Sequence, residues 1–97
     1  MPTKQIARPK TKVVTFSLPA EVSAETVALC GEFNDWAPDT IQLKRDADGR
    51  WATDVELEAG RSYRYRFLLD GERWENDWTA LAYEPNEYGG DDSLVVV

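Results

Sequence analysis

Along residues 51–58 the chain changes character at every step. Trp51, Thr53, Val55 and Leu57 fall on one side of an extended backbone, and Ala52, Asp54, Glu56 and Glu58 on the other. A period of two is the mark of a half-buried strand. The pattern returns at Val14, Phe16 and Leu18, where Pro19 ends it. It returns again at Tyr63, Tyr65, Phe67 and Leu69, which alternate with Arg64, Arg66 and Leu68. Ile41 and Leu43 alternate with Gln42 and Lys44 in a further strand. Residues 26–31 (TVALCG) are almost continuously apolar, which suits a central strand buried on both faces. Short strands are also expected around Glu72 to Trp74 and from Ser93 to Val97, with an irregular polar stretch between them up to Asp92. No segment keeps the 3.6-residue period of a helix.

Turn chemistry falls between these runs. Asp46-Ala47-Asp48-Gly49 and Asp70-Gly71 predict hairpins, because Asp and Gly tolerate the positive φ that such turns require. Ala59-Gly60 predicts another turn, and Glu32 to Asp39 (EFNDWAPD) reads as a loop. Six to eight short, mostly antiparallel strands spaced by turns predict an all-β sandwich or barrel. The 97 residues are one domain's worth. A catalytic (β/α)8 barrel would need about 250.

Charge separates the beginning of the chain from the rest. Lys4, Arg8, Lys10 and Lys12 lie in the first twelve residues, while all 18 acids lie beyond them. Residues 1–11 carry two prolines and no periodicity. They read as a flexible basic leader, and residues 12–97 as the folded domain. The leader is either a solvated terminus or a contact for something acidic. A net charge of −7 makes nucleic acid a poor partner. Cys30 is the single cysteine, so no internal disulfide forms, which fits a reducing compartment. No apolar run approaches the roughly 18 residues of a membrane span, and the N-terminus lacks the apolar stretch of a secretory signal. The expectation is a cytoplasmic protein.

Much catalytic chemistry has no residues to carry it. The chain has no histidine, and so lacks the commonest general base and zinc ligand. Gly89-Gly90 is followed by acids that repel phosphate. Asp46-x-Asp48-Gly49 resembles the start of a calcium loop, but Leu57 stands where the bidentate Glu belongs. Glu72, Glu75 and Asp77 are the nearest thing to a glycosidase pair. Such a pair needs a cleft around the scissile bond, and so short a sandwich has little material for one. We expect no enzyme, no metal and no cofactor.

The four tryptophans deserve separate readings. Trp51 is in phase with Val55 and Leu57 and belongs to the core. Trp36 sits in a polar loop, Trp74 follows the Asp70-Gly71 turn, and Trp78 follows Asn76-Asp77. An indole left in water invites a functional explanation. Sugar rings pack their axial C–H groups on an aromatic face, and their hydroxyls need donors and acceptors at the edge. Arg66, on the outward face of its strand, is a candidate donor. The plainer reading pairs it with an outward Glu of a neighbouring strand, such as Glu56.

Gly31-Glu32-Phe33-Asn34-Asp35-Trp36, then Tyr65-Arg66-Phe67-Leu68-Leu69-Asp70-Gly71, then Trp74, resembles the glycogen-binding domain family. This is the isoamylase N-terminal, early-set type of carbohydrate-binding module. It accompanies glycogen branching and debranching enzymes of glycoside hydrolase family 13 and the β subunit of AMP-activated protein kinase. The closing run from Pro85 to Val97 looks like the end of the same module, so the resemblance covers about residues 12–97. It implies an immunoglobulin-like β-sandwich that binds α-1,4-linked glucans such as glycogen, starch or maltooligosaccharides.

In sugar-binding members two tryptophans form a platform, matched here by Trp36 and Trp74. A basic residue before the Asp-Gly turn bonds hydroxyls, matched by Arg66. A later loop supplies an apolar cap, a Thr and an Asn, and in those places stand Tyr88, Gly90 and Asp92. Gly90 brings no hydroxyl, and Asp92 keeps an acceptor but not an amide's donors. This chain also carries an extra residue between Gly71 and Trp74. We expect a stand-alone, non-catalytic glucan-binding domain. Trp36 and Trp74 would stack, Arg66 and Asp92 would bond hydroxyls, and Asn76 and Tyr88 would assist. A second reading is an interaction module that docks on a glucan-processing enzyme and buries the same tryptophans there.

Overall fold

The computed structural model describes residues 10–97. The leader expected at residues 1–11 falls mostly outside them, and Thr11, assigned to it, already opens the first strand. Eight strands follow in chain order: β1 (Thr11–Leu18), β2 (Val27–Gly31), β3 (Lys44–Arg45), β4 (Trp51–Glu58), β5 (Ser62–Leu69), β6 (Arg73–Glu75), β7 (Ala82–Pro85) and β8 (Asp91–Val96). They form two antiparallel sheets, the all-β sandwich that the period-two runs predict. Among the described residues no helix is long and apolar enough to cross a membrane.

The smaller sheet has the order β1-β4-β3. The larger has the order β2-β5-β8-β7, with β6 also paired to β5. Strand β5 is its spine. Tyr65 to Leu69 pair with β2 along one edge. Along the other edge Ser62 to Tyr65 pair with β8 and Phe67 to Leu69 with β6, so Arg66 has no register partner there. The Asp70-Gly71 turn that feeds β6 has positive φ at both positions, 54° and 70°. The Glu72 N–H closes this turn on the Leu69 carbonyl at 3.1 Å, and three residues, Asp70 to Glu72, join the paired Leu69 and Arg73.

Alternation sorts the side chains of β5. Tyr63, Tyr65, Phe67 and Leu69 point into the sandwich, where they meet Phe16, Leu18, Val27, Leu29, Trp51 and Leu57. Phe16 and Tyr65 pack edge-to-face with centroids 4.9 Å apart. Each of these large side chains stabilises the fold by about 1.5–3 kcal/mol through burial. Trp51 is core, as its phase predicts. Arg64, Arg66 and Leu68 lie on the opposite, outer face.

Three expectations need correction. Ile41 to Leu43 make no regular strand. Gln42 forms a single bridge to Ala28, and the chain then crosses to the smaller sheet as β3. The stretch before Asp92 is not wholly irregular, because β7 lies within it as an edge strand. Glu56 cannot pair with Arg66, since its strand β4 belongs to the other sheet.

Candidate functional site

The outer face of the larger sheet gathers the residues of interest, and the loop after β2 brings the first. Gly31 begins it in extended backbone. A Cβ there would lie 2.7 Å from the Arg64 carbonyl oxygen and 2.7 Å from the Phe33 ring, so close approach demands glycine. Asn34 then ties the loop to itself. Its Oδ1 accepts the Gly31 N–H at 2.9 Å, and its Nδ2 donates to the Leu29 carbonyl at 3.0 Å and to Thr40 Oγ1 at 2.9 Å. Held this way, Asp35 and Trp36 adopt left-handed backbone with φ of 54° and 60°. That conformation is costly for a bulky residue. The Trp36 N–H donates to the Gly31 carbonyl at 2.9 Å. The half-buried indole packs on Ala28, Cys30 and Leu68. Burial pushes the Cys30 thiol pKa up, leaving it a neutral filler beneath the ring.

The second indole arrives on β6. Trp74 stands opposite Leu68 in the ladder and is 51% exposed. The Arg66 guanidinium carbon lies 5.5 Å from the centroid of the Trp74 ring, within cation–π range. Arg66 Nε donates to Asp92 Oδ1 at 2.9 Å. Arg64 is tied differently. Its Nη2 donates to Glu84 Oε2 at 2.7 Å, and its Nη1 to the Pro85 carbonyl at 3.1 Å and to Asp92 Oδ2 at 3.5 Å.

The third wall is the turn between β7 and β8. Asn86 Oδ1 accepts the N–H groups of Tyr88 at 2.9 Å and Gly90 at 3.2 Å, and its Nδ2 donates to Asp92 Oδ1 at 3.1 Å. Tyr88 projects from this turn, 84% exposed. Together these groups line one open depression of about 880 Å³, floored by Arg64, Arg66 and Asp92 and walled by Trp36, Trp74, Tyr88 and the carboxylates of Glu32 and Glu87. Among the described residues no group of three or more Cys, Asp and Glu is placed to hold a metal ion.

Residues 4–86 match the family Carbohydrate-binding module 48 (Isoamylase N-terminal domain). The chain belongs to this family. No curated protein matches it.

In this carbohydrate-binding module the matched residues include Trp36, Arg66 and Trp74 and end at Asn86, short of Tyr88 and Asp92. Of the six residues singled out in the sequence, five line the same depression: Trp36, Arg66, Trp74, Tyr88 and Asp92. Asn76 does not. Its Nδ2 donates to the Asp91 carbonyl at 2.9 Å and its Oδ1 accepts from Ser93 Oγ at 2.8 Å, so its amide ties the start of β8. Asp92 lines the floor with only 7% of its side chain exposed, and both its oxygens face donors of the protein. Asp77, from the carboxylate cluster considered for catalysis, lies elsewhere. It is buried, accepting from Tyr65 Oη at 2.7 Å and from Thr79. Asn34, Arg64 and Asn86 also shape the depression, and nothing in the chain marks those roles. Asn34 and Asn86 resemble ordinary turn asparagines, and the partners of Arg64 lie at least 20 residues away.

Proposed function

We propose that this module binds α-1,4-linked glucans, such as glycogen, starch and maltooligosaccharides, without chemical change. The observation that carries this reading is the placement of Trp36 and Trp74 on one face of one sheet, lining a single depression with Arg66 in it. Glucose units laid along that face would press their axial C–H groups on the two indoles. Arg66 would donate to ring hydroxyls from its terminal nitrogens, which have no protein partner among the described residues. Tyr88 would flank the chain from the β7–β8 turn. The depression is open, so little ligand surface leaves water and affinity should be weak.

Titration of maltoheptaose into labelled protein tests the reading. The expected result is a set of shifts confined to Trp36, Trp74, Arg66 and the Tyr88 turn, with a weaker response to a β-1,4-linked glucan of equal length. Silence up to millimolar sugar would overturn it. That outcome would favour docking on a glucan-processing enzyme, with the same indoles buried by the partner.

A further inference from the structure

The carboxylate on the floor of the depression has two candidate roles, and they make different demands on geometry. A carboxylate that accepts sugar hydroxyls must present an oxygen to the ligand. One that sets a neighbour must spend its oxygens on that neighbour. Asp92 Oδ1 already takes Arg66 Nε at 2.9 Å and Asn86 Nδ2 at 3.1 Å, while Oδ2 faces Arg64 Nη1 at 3.5 Å. Its side chain is 7% exposed, against 24% for Arg66. Arg66 spends only Nε on the protein among the described residues, and its two terminal nitrogens remain.

The need for such a support follows from the fold. Arg66 sits where β5 exchanges β8 for β6, one step past Tyr65–Ser93, the last pair of the β5–β8 ladder, so that its neighbour across the edge is Asp92 of β8. Where the ladder's backbone pairing ends, ordering a long, flexible side chain costs rotamer entropy that a side-chain bond must offset. Asp92, across the edge on β8, supplies that bond, and a bonded carboxylate fixes the plane of the guanidinium. Asn86 in turn fixes Asp92 Oδ1 and, through its own Oδ1, the N–H groups of Tyr88 and Gly90.

We propose that Asp92 is a positioning residue, which holds Arg66 so that its two terminal nitrogens, and not the carboxylate, meet the sugar. The sugar part of this proposal rests on the glucan-binding reading above. The holding part does not.

Two measurements separate the parts. In sugar-free protein, the Arg66 Nε–H resonance should stand apart from those of solvated arginines and exchange slowly. It should collapse to the solvated position in Asp92→Ala, while Asp92→Asn, which keeps an acceptor oxygen, preserves part of the shift and guards against a misfolded Ala variant. A resonance that does not change in Asp92→Ala overturns the proposal, whether or not any sugar binds. The second measurement is a double-mutant cycle read with maltoheptaose. Asp92→Ala should weaken binding about tenfold in the native background, and less than about twofold when Arg66 is already alanine. An equal, tenfold loss in both backgrounds would show that Asp92 meets the sugar itself. If the native protein ignores maltoheptaose, the glucan reading falls and the resonance alone decides whether Asp92 holds Arg66.

Discussion

Trp74 stands directly opposite Leu68 in the β5–β6 ladder, and Leu68 belongs to the small apolar cluster on which Trp36 packs. Leu68 is thus the ladder partner of one tryptophan and part of the support of the other. The two residues differ in how much of their surface is spent on the fold: Trp36 is mostly buried, and Trp74 is 51% exposed.

That difference separates two alanine variants. Trp74→Ala should leave stability within about 0.5–1 kcal/mol of the parent, since exposed positions contribute little. Trp36→Ala should cost roughly 1–3 kcal/mol, because packed apolar surface is lost as well. Both should weaken maltoheptaose binding about tenfold. Urea midpoints alongside calorimetric titration would check the split. Equal stability losses would contradict it.

Asn34 should matter more than its place in a surface loop suggests. Its amide satisfies backbone groups of Gly31 and Leu29 and holds Trp36 in left-handed backbone. Asn34→Ala should cost about 1–3 kcal/mol and reduce sugar affinity together with stability. Gly31→Ala should be destabilising by about 1–3 kcal/mol, because the new methyl meets the Arg64 carbonyl and that backbone cannot yield cheaply. Thermal unfolding of the two variants is the measurement.

Acid should act through Asp70. The amides of Thr26 and Glu25 donate to its carboxylate and, with Arg73 beside it, hold its pKa below the ordinary carboxylate value. A lowered folded-state pKa means stability that is present above the unfolded value of about 4 and lost as pH falls below it. Asp70→Asn, which tolerates the same positive φ, should flatten the fall in stability below about pH 4. Chemical unfolding at a series of pH values would show it. An unchanged acid slope would count against this role.

Alkali should act through Tyr65. Burial first, and then its hydrogen bond to Asp77, drive the phenol pKa far above its ordinary value. The folded state keeps the proton that the unfolded chain releases, so stability falls as pH rises beyond about 10. Tyr65→Phe should lessen that dependence. At neutral pH it should cost about 1–3 kcal/mol, because Asp77 Oδ2 loses its donor in a buried place. Unfolding curves at pH 7 and pH 10.5 test both signs.

The parts of the fold with a strong alternating pattern were legible in the chain. Strands β1, β4 and β5 each bury one face, and a buried face writes itself as a period of two. Strand β7 was not legible. It is short, ends in Pro85, carries Glu84 and pairs on one side only, so its backbone bonds to β8 make it a strand with little help from composition. The candidate site was legible as residue types, through the GEFNDW and YRFLLDG runs. The division of labour between its charged groups was not. Asp92 meets Arg66 and Arg64 across 26 and 28 residues, and nothing local marks an acid as buried.

The spine strand has a final consequence for any assay. Trp36 follows β2, Trp74 rides on β6, and Tyr88 and Asp92 come with β8, all brought to β5 from both of its edges. No single hairpin carries the candidate surface, which exists only once every one of those seams has closed. A ligand that fits it should therefore raise the melting temperature of the whole domain by mass action. Thermal shift with added saccharide would then report on complete closure of the sheet as much as on affinity.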